Sequence, residues 1–168
     1  AYLVPCLIVA RGNPRGLRTL ADLNQPGLRL AIGNPESCQI GRLTQTLLQR
    51  AGAAAAGAQA KQGLTVNELG VWVKTGDVDA AIVWDAIAAG LGETVEAIPL
   101  VLRAEDVSRV TLALLAGARE PETARRFMRF CASARGQEIL RQQGYGTALP
   151  AGLTRPSQGP ADRQGKAP

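Results

Sequence analysis

The sequence predicts an α/β fold. Short apolar runs of strand length, such as Leu28 to Ile32 (LRLAI) and Asp79 to Trp84 (DAAIVW), alternate with segments whose apolar residues recur at helical spacing. Gly, Pro and Asn clusters separate the two kinds of segment, as at Gly33-Asn34-Pro35. Apolar residues make up 46% of the 168 residues and charged residues 20%, enough apolar material for a packed core and too little charge for a disordered polymer.

The first strand is expected over residues 2–10, an apolar run broken by Gly12, Asn13 and Pro14. The run is too short to cross a membrane and has no basic region before it, so it reads as a buried strand rather than a signal peptide. Leu17 to Leu23 fits a short helix, and LRLAI a strand closed by Gly33-Asn34-Pro35. Leu43, Leu47 and Leu48 give Gly41 to Arg50 a helical face, and Gly52 stops it. Gly52 to Gly57 (GAAAAG) fits a loose helix or a loop equally. Thr65-Val66-Asn67-Glu68 has the form of a capping box, followed by a face of Val66, Leu69, Trp72 and Val73. Asp79 to Trp84, Ile98 to Leu102 and Val110 to Leu115 are the remaining strand candidates, and alternation with helices predicts mostly parallel pairing. Pro121 suits a first helical turn, and the helix from there to Ala132 carries Ala124, Phe127, Met128 and Cys131 on one face. A last helix, Arg135 to Gln143, ends at Gly144. From Pro150 onward Pro, Gly, Gln and charge dominate, and the tail over 151–168 is expected to be disordered.

Composition removes several functions. Histidine is absent, which excludes His-dependent triads and His metal sites. The net charge of +5 comes from scattered arginines with no long basic run, and the Phe, Trp and Tyr residues, two of each, are too few for a base-stacking platform; nucleic acid is not the expected partner. Cys6, Cys38 and Cys131 have no metal-ligand spacing; Cys6 and Cys131 read as small core residues. No phosphate-binding or nucleophile-elbow motif is present. A Cys38 nucleophile would lack a histidine base, and among Glu36, Asp77, Asp79 and Asp85 no pair is set by spacing, Asp77 and Asp79 being simpler as turn residues. An enzyme is not expected, and no cofactor is called for.

Chemistry is expected instead at helix beginnings. In an open α/β sheet ligands sit at the carboxyl ends of the strands, where a helix start offers unpaired N–H groups and the positive end of its dipole. After LRLAI that position is held by Ser37, Cys38, Gln39, Ile40 and Gly41; after the capping box, by Val66. Each also reads without a ligand, as an ordinary cap. Trp84 ends a strand and its indole N–H only donates, which suits an anion; it reads equally as a core aromatic. Asp85 would repel an anion unless it points away.

Four segments, in order, resemble the periplasmic molybdate-binding proteins of ABC importers, within the type II periplasmic binding proteins. They are LVPCLIVARGNP, GLRTLADLNQPGLRLAIGNPESCQIGRLTQTLLQRAG, GDVDAAIVW and RVTLALLAGAREPETARRFMRFCASARGQEILRQQGYG, together covering residues 1 to about 146. The resemblance implies a type II periplasmic-binding-protein-like α/β fold with one nearly complete lobe, 10–98, plus part of a second, 1–9 and 99–150. It implies a tetrahedral oxyanion ligand, molybdate or tungstate, an ABC permease as partner and a periplasmic location. Its donors carry over to the Ile40 and Val66 amides and to Trp84, with Cys38, Gln39 and Gly41 in the same loop. Cys38-Gln39-Ile40-Gly41 stands where the family usually has V-P-A-G, Trp84 where it has tyrosine, and Asp85 where it commonly has glycine. The serine-bearing loops that open the family's first lobe have no counterpart before Ala1, so the resemblance implies a missing N-terminal part. Two rival readings remain. In one, Asp85, Glu36 and Cys38 favour a cation or a small organic acid. In the other the chain is a non-binding remnant, with Leu3, Ile8, Leu112 and Leu114 exposed.

Overall fold

The structure, a computed structural model, describes residues 1–153. Its centre is a five-stranded sheet formed by β2 (Pro5–Ala10), β3 (Leu30–Gly33), β4 (Lys61–Gly63), β5 (Ala80–Trp84) and β6 (Val95–Pro99), in the order β4-β3-β5-β2-β6. β1 (Tyr2–Leu3) instead pairs antiparallel with β7 (Ser108–Arg109). The helices are α1 (Gln39–Arg50), α2 (Ala54–Ala58), α3 (Val66–Thr75), α4 (Asp85–Leu91), α5 (Pro121–Ala132) and α6 (Ala134–Gln142).

The inner strands read as unbroken apolar runs because both of their faces are covered. Leu7 and Val9 of β2, Ile32 of β3 and Ile82 of β5 face a core that includes Ile40, Leu47 and Leu48 of α1. Cys6 and Ile8, Ala31, and Ala81 and Val83 face the opposite core, closed by Leu69 and Val73 of α3. Helix α3 begins with the expected box: the Glu68 amide donates to Thr65 Oγ1 at 3.4 Å, and Glu68 Oε2 accepts from the Leu64 amide at 2.9 Å. It ends at Gly76, whose φ of 77° is the left-handed conformation that glycine adopts without penalty.

Several expectations are corrected. Pairing is mixed: β3 is parallel to β4 and β5, but β2 is antiparallel to β5 and β6. Pro5–Ala10 lies inside the sheet between β5 and β6. The Ile98 to Leu102 strand is Val95–Pro99, in register with β2, and Leu17 to Leu23 shrinks to a 3-10 helix over Leu20–Asn24. The Ala-Gly segment forms the short helix α2. Val110 to Leu115 forms no strand: its first residue bonds to Ala1, the Val110 amide donating to Ala1 O at 2.9 Å, but Thr111 to Leu115 have no strand partner among the described residues. Cys131 is only half-buried and α5 has no buried residue; Ile8, expected at an exposed face, is fully buried. Of the tail, Ala151 to Leu153 form a turn, and 154–168 lie outside the described residues.

Candidate functional site

Three neighbouring parallel strands, in the order β4-β3-β5, end at Gly63, Gly33 and Trp84. Each is followed by a helix: α3 after β4, α1 after β3 and α4 after β5. The starts of α3 and α1 and the indole of Trp84 therefore stand along one edge of the sheet, where the strand direction puts a ligand site.

The loop before α1 is built by Asn34. Its amide donates to Gly63 O at 2.8 Å, and its Oδ1 accepts from the Glu36 and Ser37 amides at 2.9 and 3.1 Å. The Cys38 amide donates to Asn34 O at 2.8 Å, and its thiol to Leu64 O at 2.9 Å, in the loop that enters α3. The two helix starts are thus tied to each other through the loops that precede them. Cys38 supplies that tie with its own donors and has none left over for a ligand. Gly41 acts through its missing side chain: a Cβ there would overlap the Gly33 carbonyl oxygen and lie 2.7 Å from its carbon. The glycine lets α1 seat directly on the end of β3. Its amide donates to Cys38 O at 3.1 Å.

What remains open is narrower than the expected set. The Gln39 and Ile40 amides of α1 and the Val66 and Asn67 amides of α3 have no acceptor among the described residues. Asn67 was not among the expected residues, though the second residue of a helix is as unpaired as the first. The Ile40 side chain is fully buried in the core, so it lines no pocket, and Val66 packs between the two cores.

Gln39 and Trp84 share a cavity of about 360 Å³ with Leu43, Asp106, Ser108 and Arg109. Val66 does not line it. Trp84 is 7% exposed, and its indole N–H has no acceptor among the described residues. The Gln39 side chain reaches across to Ser108, its Nε2 donating to the hydroxyl at 3.1 Å. Asp106 is neutralised by Arg50, and its carboxylate also accepts from the Arg103 amide at 2.8 Å. Arg109 has no carboxylate partner among the described residues, and Glu105, which also lines the cavity, stands 3.8 Å from Arg103, so the cavity carries charges of both signs beside neutral donors. Ser108 and Arg109 escaped the sequence reading because 69 positions separate Ser108 from Gln39 and no local motif marks the approach.

Asp85 faces elsewhere. Its Oδ1 accepts from the Val4 amide at 3.0 Å and the Ala86 amide at 2.9 Å, and it lines a different cavity from Trp84. Burial raises its pKa above the ordinary carboxylate value, more than its backbone hydrogen bonds lower it. Asp77 and Asp79 stand away from this edge; Asp79 binds Arg29, with Nη2 to Oδ1 at 2.7 Å, at the entry to β5. Among the described residues no group of three or more Cys, Asp or Glu could hold a metal ion, and no helix is long and apolar enough to cross a membrane.

Comparison with known proteins gives this edge its context. The molybdate-binding protein ModA of Mycobacterium bovis is 29% identical over 139 residues, which cover 83% of this chain and 52% of that protein. The periplasmic molybdate-binding protein of Azotobacter vinelandii superposes with a TM-score of 0.61 at 18% identity, over 87% of this chain and 66% of the other. The sulfate-binding protein SubI of Mycobacterium tuberculosis gives 0.61 at 19%, over 86% and 56%. At these identities the structural likenesses establish the fold, an α/β fold of periplasmic solute-binding proteins matched over part of their length. The chain spans about half the length of the curated relatives it matches. Residues 1–146 match the family described as bacterial extracellular solute-binding protein, whose members bind solutes rather than transform them; the chain belongs to that family.

Proposed function

We propose that the chain captures a tetrahedral dianion, molybdate or tungstate first, as the solute-binding component of a periplasmic ABC importer. The observation that carries this reading is the pair of tied helix starts, α1 and α3, whose Gln39, Ile40, Val66 and Asn67 amides have no acceptor among the described residues. Neutral amides at helix ends hold a dianion without the cost of burying a countercharge. The indole N–H of Trp84 adds a donor at the same sheet edge, and Gln39 brings a side-chain amide. Relatives named for molybdate and sulfate support the ligand class. In this reading residues 10–98 with β2 form one lobe, residues 100–150 with β1 part of the other, and closure of the lobes replaces the anion's water shell with protein donors.

Isothermal titration with molybdate, tungstate and sulfate tests it. Saturable heat with at least one of them is expected, weakened when Trp84 is replaced by Phe, which keeps the ring and removes the N–H. No heat with any oxyanion overturns the reading.

A further inference from the structure

We propose that a second, independent ligand site lies between β2, β6, α4 and the segment 144–153, and that it takes an organic ammonium ion with an apolar body. The cavity there measures about 720 Å³ and is walled by apolar groups, among them Val4, Cys6, Val95, Leu100 and Leu153. That volume falls within the roughly 300–1,000 Å³ of small-molecule sites, which combine apolar walls with a few fixed polar groups. The fixed polar group is Asp85, the only charged residue of the lining among the described residues.

Asp85 is placed for this. The Val4 and Ala86 amides hold Oδ1, so the carboxylate is oriented before any ligand arrives. Oδ2 has no donor among the described residues. An ionised carboxylate only accepts hydrogen bonds, so the complementary ligand atom is a donor, and a charged one gains most in a poorly hydrated wall. The neighbouring Cys6 thiol reports that environment: burial, and then the charge of Asp85, push its pKa up to about 12. An anion would meet like charge, and a neutral apolar molecule would leave Oδ2 dry and unpaired. Trp84 and Asp85 are adjacent in sequence but line separate cavities, so this site stands or falls apart from the oxyanion reading.

The test is calorimetric titration of the full chain at neutral pH with n-hexylammonium, n-hexanol and n-hexanoate, with and without saturating molybdate. Hexylammonium is expected to bind saturably, at least tenfold more tightly than hexanol, with no heat from hexanoate and no change on adding molybdate. Asp85→Asn keeps an acceptor for the Val4 and Ala86 amides and is expected to bring hexylammonium down to the affinity of hexanol. Ala97→Phe, at an exposed β6 position lining the cavity, is expected to block both, with the fold checked by circular dichroism. Absent hexylammonium binding, equal affinity for hexanol, or unchanged binding in a folded Asp85→Asn or Ala97→Phe protein would each overturn the proposal.

Discussion

The sheet unit of residues 5–99 and the segment after it use apolar periodicity alike and end differently. In the sheet unit the alternation along β2 sends Leu7 and Val9 to one core and Cys6 and Ile8 to the other, and α1 and α3 cover both. In α5 the apolar side chains also share one face, yet Phe127 is 59% exposed and Phe130 47%. Leu112, Leu115 and Val101 are exposed in the same half of the chain, whereas the exposed large apolar residues of the sheet unit are Leu64 and Val71. The contrast teaches that a period encodes a face and not its cover. It also says where stability lies: in the half that carries the candidate anion site.

The sharpest way to break that comparison is Gly41→Ala. Its Cβ would run into the Gly33 backbone, which cannot move aside as a flexible side chain can. A loss of about 3 kcal/mol is expected, read as a lower urea midpoint with unchanged slope. A silent substitution would mean that α1 is not seated on β3 as described.

A smaller effect comes from the surface of the same unit. The Arg29 guanidinium, and then the Arg29 amide, hold the Asp79 carboxyl at about 2, below its ordinary 3.8, and Arg15 lies 3.2 Å away. A carboxyl whose pKa is lowered by folding stabilises the native state above its unfolded pKa, and that contribution fades as pH falls through the folded value. The melting temperature of Asp79→Asn should therefore lie below that of the unaltered protein at neutral pH. The gap should close as pH drops from 3.8 toward about 2. A gap that does not depend on pH would mean that the side chain acts by packing rather than by charge.

The sheet unit was legible in the sequence for the same reason that it is stable. PCLIVA, LAIG and AAIVW are continuous apolar runs because both faces are buried, and Thr65 and Gly76 mark the ends of α3 in the letters themselves. Pro121 and Ala132 bound α5 as expected, since helix ends are local chemistry. What depends on distant chain was not legible. Val110 to Leu115 has the composition of a strand, but among the described residues only Val110 bonds to a distant backbone, that of Ala1, and the antiparallel place of β2 between β5 and β6 is set by strands far along the chain. At the candidate site Gln39, Ile40, Val66 and Trp84 followed from the rule for strand ends, whereas Ser108 and Arg109 reach it by a crossing no motif announces. Cys38 and Gly41 were legible as positions but not as roles: one ties two loops and the other admits a backbone.

The smallest expected effect carries the comparison to its other side. If α5 keeps its apolar face in solvent, Phe127→Ser removes a ring that was already 59% exposed and leaves no cavity. The change in stability should then stay within about 0.5 kcal/mol, the range of surface substitutions away from special features. A Leu7→Ala control in the sheet unit, where the side chain is fully buried, should cost about 2–5 kcal/mol. Chemical denaturation of both variants reads the difference directly. A Phe127→Ser loss of the same size as that of Leu7→Ala would show that the ring is buried in the protein in solution, and the distinction between a covered and an uncovered face would fail at α5.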